Sequence, residues 1–79
     1  MLLDVVCVKA QPDYKLYLEF ENHERRVFDV SPYLEKGVFS QLKNLDLFSR
    51  VHIGGGTVMW PGEIDIAPET LYEDSAPLG

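Results

Sequence analysis

Two turn signals seven residues apart, Gly54-Gly55-Gly56 and Pro61-Gly62, constrain this chain more than any other feature. Between them lies only Thr57-Val58-Met59-Trp60, and they are flanked by Arg50-Val51-His52-Ile53 and by Glu63-Ile64-Asp65-Ile66, all rich in β-formers. The glycines therefore read as a turn between two strands. A phosphate-binding loop would need G-x-x-x-x-G-K-[ST] opening a helix, so that backbone N–H groups and a lysine converge on the anion, and here a strand follows with no lysine. Pro61 presets φ and Gly62 accepts a positive φ, the central pair of a type II turn.

Placing Trp60 opposite Glu63 pairs Val58 with Asp65 and Met59 with Ile64. A loop of Gly54 to Gly56 sets Val51 against Met59 and His52 against Val58. In that register Val51, Ile53, Thr57, Met59, Ile64 and Ile66 form the core face. Arg50, His52, Val58, Trp60, Glu63 and Asp65 form the other, with His52, Val58 and Asp65 in one row and its outer two residues about 10 Å apart.

Upstream, Leu3 to Ala10 is a Val-rich strand, broken by Gln11-Pro12-Asp13. Tyr14 to Glu21 then alternates with period two, placing Leu16, Leu18 and Phe20 on one face. Its partner is Arg25 to Val30. A three-residue loop of Asn22, His23 and Glu24 puts Glu21 opposite Arg25, Leu18 opposite Phe28 and Leu16 opposite Val30. A two-residue loop would set Leu16 against Asp29, so the hydrophobic pattern selects the longer one. Tyr17, Glu19, Val27 and Asp29 then share the outer face.

Ser31 can cap a helical turn that Pro32 opens and Gly37 ends. Phe39, Leu42 and Leu45 recur at spacings of three, an amphipathic segment ended by Asn44 or Asp46. Pro68 opens a brief last helix in which Leu71 and Tyr72 fold back onto the sheet. The expectation is a small α+β domain: antiparallel β-hairpins, a short central helical segment and a short C-terminal helix. One domain spans residues 1–72, and residues 73–79 form a loose tail.

With 79 residues the chain has room for one domain, burying roughly 60% of its unfolded surface. The single cysteine, Cys7, excludes an intramolecular disulfide framework and suits a reducing cytoplasm. No apolar stretch approaches the ~18 residues of a membrane span. Residues 51–79 carry five acids and no Lys or Arg, and the net charge is −6. Without a basic stripe to neutralise phosphates, direct nucleic-acid binding is disfavoured.

Candidate chemistry is sparse. Cys7 in a Val-rich strand reads as a small hydrophobe, since nothing in the sequence sets His23 or His52 beside it. His52 with scattered carboxylates lacks the paired spacing of a metal site. Glu63, Asp65 and Glu69 have no apolar pocket to split their pKa values, and Asp65 can instead accept backbone N–H groups at the entry to the last helix. No catalytic set, cofactor site or metal site is expected.

Trp60, beside Val58 and among charged neighbours, has the make-up of an interface anchor, with His52 and Asp65 on the same face. The C-terminal helix or the Phe39 to Phe48 segment could equally cover it. Tyr17 and Val27 offer a second contact surface, for self-association. Two functions follow from these residues: a non-enzymatic protein-interaction module, or small-ligand and metal binding on the His52, Trp60 and Asp65 face.

The spacing W-P-x-x-x-D-I-x-P-E-x-L-Y, carried by Trp60-Pro61, Asp65-Ile66, Pro68-Glu69 and Leu71-Tyr72 after Phe28-Asp29-Val30-Ser31-Pro32-Tyr33-Leu34, resembles the bacterial domain of unknown function 2442 family. The resemblance covers nearly the whole chain and implies a small α+β fold. Members of that family include proteins fused to helix-turn-helix domains or encoded beside toxin-like partners. It thus implies a regulatory or antitoxin-like interaction module with a protein partner, and it transfers no catalytic residue.

Overall fold

The computed structural model describes residues 3–78, so Met1, Leu2 and Gly79, at the ends of the expected first strand and tail, lie outside the described residues. Seven strands form in chain order: β1 Val5–Gln11, β2 Lys15–Phe20, β3 Arg25–Asp29, β4 His52–Gly54, β5 Thr57–Trp60, β6 Ile64–Ile66 and β7 Ala76–Pro77. Two short helices, α1 Leu45–Phe48 and α2 Pro68–Asp74, join them together with 3-10 segments at Ser31–Tyr33 and Gly37–Lys43. One antiparallel sheet runs β1-β2-β3-β7 and the other β4-β5-β6. The α+β class expected from the sequence holds.

Alternation in β2 buries Leu16, Leu18 and Phe20, and Phe28 of β3 and Val5 of β1 join them. The same cluster takes Leu34, Leu42, Phe48 and Leu71 from the helical pieces and Val58, Trp60, Ile64 and Ile66 from the smaller sheet. Everything that packs on the larger sheet thus packs on one side of it. Val6 bulges out between Val5, paired with Phe20, and Cys7, paired with Glu19; it restores the alternation so that Val8 and Ala10 point inward after the bulge. The Val5 N–H donates to the Gly56 carbonyl at 2.9 Å, which ties the two sheets together.

The β2–β3 register differs from expectation by two residues: Leu16 lies opposite Phe28, Leu18 opposite Arg26 and Glu19 opposite Arg25. The loop does have three residues, but they are Glu21, Asn22 and His23, with Phe20 N–H bonded to the Glu24 carbonyl and His23 N–H to the Phe20 carbonyl. His23 takes a φ of +73°, the left-handed residue that closes a three-residue hairpin, and Asn22 Oδ1 accepts the Glu24 N–H. An even shift preserves the faces. Arg26 stays on the core side and lies opposite Leu18 instead of Phe20.

In the smaller sheet both pairings shift by one residue, which inverts the central strand β5 and leaves its two neighbours facing as expected. Gly54 pairs with Thr57, so the turn is only Gly55 and Gly56, with φ of +60° and +80°. Two consecutive positive φ values are the signature of a type I′ hairpin turn. At the other end Gly62 has the φ of +94° that a type II turn requires, but Glu63 follows at +62° and adds a residue, so Trp60 pairs with Ile64. Val58, Trp60, Ile64 and Ile66 therefore face the core, whereas His52, Met59 and Asp65 form the opposite row.

The central segment is more broken than an amphipathic helix. Asp29 Oδ1, not Ser31, provides the cap, accepting the Ser31 N–H at 2.9 Å, and this bond holds the Asp29 carboxyl below its ordinary range. Gly37 begins a 3-10 segment instead of ending a helix. Leu42 is fully buried, but Asn44 breaks the segment and caps α1, leaving Leu45 on the surface at 63% exposure while Phe48 takes the core position.

The expected loose tail is also corrected. Glu73 and Asp74 complete α2, Ser75 is buried, and Ala76 and Pro77 pair with Val27 and Arg26 of β3. Among the described residues no helix is long and apolar enough to cross a membrane.

The glycine pair yields a direct test. A Cβ at Gly55 would meet nothing within 4 Å, but one at Gly56 would lie 2.7 Å from the Asp4 carboxylate. Gly55→Asn is expected to be tolerated, while Gly56→Ala combines left-handed strain with that clash and should cost about 1–2 kcal/mol or more in urea unfolding. Equal midpoints for the two variants would refute this account of the turn.

Candidate interaction surface

The side of the larger sheet turned away from the core is an ordered grid set by strand register. Cys7, Glu19 and Arg25 form one row, Lys9, Tyr17, Val27 and Ala76 the next, and Gln11, Lys15 and Asp29 the third. Leu78 extends the first row, because its N–H donates to the Arg25 carbonyl at 2.8 Å. Lys9, Gln11, Lys15, Arg25, Asp29 and Ala76 are exposed, and Cys7, Tyr17, Glu19 and Val27 are half-buried. Tyr17 and Val27 shield each other as a cross-strand pair and take no part in the core cluster.

The five residues singled out from the sequence occupy three different places. Tyr17 stands at the centre of this open face. His52 and Asp65 are exposed on the outer side of the smaller sheet, separated by the strand that carries Met59. Val58 and Trp60 are in the core, at 0% and 1% exposure.

The indole explains its own position: Nε1 donates to the Phe48 carbonyl at 2.9 Å, and the ring lies over Phe48 with centroids 6.1 Å apart. Trp60 is thus an internal anchor, and the shared His52, Trp60 and Asp65 face does not exist. Cys7 has Glu19 as its cross-strand neighbour rather than a histidine. Asp65 does not cap α2, whose N-cap is Ala67 without a side-chain bond. Among the described residues no three His, Cys, Asp or Glu side chains gather as metal ligands.

The model for the family described as protein of unknown function (DUF2442) matches residues 5–77. The chain belongs to this family. No match was found to a curated protein or to a solved structure.

In this DUF2442 domain the sequence reading missed one polar cluster, which secures an edge of the open face. Arg26, on the core side of β3, donates from Nε to Ser75 Oγ at 2.6 Å and from a terminal nitrogen to the Ser75 carbonyl at 2.8 Å. Its guanidinium lies 4.5 Å from the Tyr72 ring centroid, and the Tyr72 hydroxyl donates to Glu24. The cluster fastens α2 and β7 to β3. Only Arg26 at an inward strand position could have signalled it, and the expected register placed that residue opposite Phe20, where a charge at a core position would demand partners.

The Tyr72 hydrogen bond is the main reason the Glu24 carboxyl is held below its ordinary value of 4.5, with Asn22 adding a second bond. The same bond raises the Tyr72 phenol. A lowered carboxyl contributes stability above its unfolded pKa and loses it as pH falls through the folded value, and a raised phenol contributes below about pH 10 and loses it as pH rises further. In Tyr72→Phe the Glu24 carboxyl should therefore titrate at higher pH by carbon NMR than in the wild type. An unmoved titration would show that the bond does not govern Glu24.

Burial of Trp60 gives a second expectation. Trp60→Ala should cost about 3–5 kcal/mol, a large share of the stability of a small domain, and strand the Phe48 carbonyl. Urea denaturation followed by circular dichroism checks this, and a loss under 1 kcal/mol would contradict the core position.

Proposed function

We propose that this domain is a non-enzymatic protein-interaction module of a regulatory, antitoxin-like kind, and that its working surface is the open face centred on Tyr17 and Val27. The observation that carries this reading is the one-sidedness of the larger sheet: the helical pieces and the second sheet all contribute to a core on one side, and an amphipathic aromatic, an apolar Val27 and a mixed set of charges remain on the other. A tyrosine beside one apolar neighbour, Val27, and ringed by charges has the composition of a small interface centre with a polar rim. The family resemblance adds the regulatory setting, and the single cysteine suits a cytoplasmic one.

The substitution that tests the surface must leave the core alone, and Tyr17→Lys does so because Tyr17 is outside the core cluster. Tagged wild type and Tyr17→Lys would be crosslinked in the native host and the captured species identified by mass spectrometry. The expected outcome is at least a tenfold loss of crosslinks through β1–β3 in the variant, with an unchanged unfolding midpoint. Crosslinks that persist, or that map to the outer side of the smaller sheet, would move the interaction elsewhere.

A further inference from the structure

We infer that the occupant of the open face is a second copy of the same chain, packed sheet to sheet about a two-fold axis that runs along the central row Lys9, Tyr17, Val27 and Ala76. This rests on the reading of that face as an interaction surface and names the partner. The argument is charge complementarity fixed by register. On one side of the central row lie Glu19 and, across the strand, Arg25; on the other lie Lys15 and, across the strand, Asp29. A two-fold along the central row exchanges the two flanking rows, so Glu19 of one copy meets Lys15 of the other and Arg25 meets Asp29. Each contact occurs twice, giving four opposite-charge pairs around a centre of Tyr17 on Tyr17 and Val27 on Val27.

Among the described residues the ion pairs join Arg26 to Glu24, Lys43 to Glu35 and Arg50 to Asp46 and include none of these four charges, although one Asp29 oxygen accepts the Ser31 N–H and Lys15 lies across the strand from it. Like charges meet only at Lys9, at the sheet edge, where a long side chain can turn into water. The alternative two-fold, along the strands, would also form opposite-charge contacts, Glu19 to Arg25 and Lys15 to Asp29, but would bring β1 of one copy over β7 of the other and remove Tyr17 from its twin. The double variant below separates the two arrangements, because in this one it would set Lys against Arg and Glu against Asp. The strand directions required by the first arrangement match those of aligned sheet packing, within the usual ~30°.

Overall charge points to the same surface. The chain carries net −6, so two copies repel over most of their surface. The open face holds Lys9, Lys15 and Arg25 against Glu19 and Asp29, a net of +1, and is where two acidic chains can approach. Its plan is about 15 Å across four strands and ~17 Å along five residues, far below the ~800 Å² per partner of a standard interface. The dimer should accordingly be weak, with a Kd on the order of 10–500 μM.

Sedimentation velocity of the full chain from 10 μM to 1 mM at low salt tests this. The expected result is a rise from the monomer mass of 9.0 kDa toward twice that value. Lys15→Glu would face Glu19 of the second copy, and Glu19→Lys would face its Lys15, so each single substitution should weaken the dimer by about tenfold or more. The double variant Lys15→Glu/Glu19→Lys restores both pairs and should return to within about threefold of the wild type. Fluorescence of the buried Trp60 verifies that each variant is folded.

A wild type that stays monomeric to 1 mM overturns the inference. So does a dimer indifferent to the single substitutions, which would pair through a sheet edge, or one that the double variant fails to restore. If the chain is monomeric yet loses a different crosslinked protein on Tyr17→Lys, self-pairing falls while the interaction surface stands.

Discussion

The fold depends on Trp60 being inside. Among the described residues its ring is the largest fully buried side chain, its Nε1–H satisfies the Phe48 carbonyl, and its plane lies over the Phe48 ring, so the indole joins the smaller sheet to the helical connection within the core that both share with the larger sheet. A chain of 79 residues can build one such core and has little left over. Because the second sheet delivers Trp60, Val58, Ile64 and Ile66 to the side of the larger sheet already lined by Leu16, Leu18, Phe20 and Phe28, the opposite side goes uncovered. The open face is a consequence of where the apolar residues are spent.

Much of this was legible from pattern alone. The alternation of β2, the outward placement of Tyr17, Glu19, Val27 and Asp29, the three-residue length of the β2–β3 loop, the positive φ at Gly62 and the helix opened by Pro68 all follow from residue type and period. What the sequence could not convey is a left-handed non-glycine residue. Glu63 at φ +62° lengthens one turn by a residue, and the compact Gly55-Gly56 turn shortens another, so two individually reasonable turns gave an odd register error that put Val58 and Trp60 on the wrong side, while His52 and Asp65 kept the outer side expected of them. His23 at +73° produced an even error in the first hairpin, harmless to the faces. The parity of a turn matters more for locating a site than its type.

The C-terminal segment shows the other limit. Nothing in Glu73-Asp74-Ser75-Ala76-Pro77-Leu78 has the period of a strand, and its attachment comes from Arg26, an inward-facing guanidinium that has to find acceptors once it is half-removed from water. Ser75 and Glu24 supply them, with Tyr72 as the flat surface beneath. A core-side charge close to the sheet edge thus recruits a fourth strand, and that strand widens the open face by Ala76 and Leu78.

Charge placement then separates the two surfaces that remain accessible. Beyond residue 50 the chain has five acids and no Lys or Arg, and this half forms the smaller sheet and α2. The cations sit in the first half, and strand alternation sends three of them to the open face beside only two acids. For two like molecules of net charge −6, the far side of the smaller sheet is therefore repulsive and the open face is not. Burial leaves that face bare, and electrostatics makes it the side on which a second acidic chain can settle.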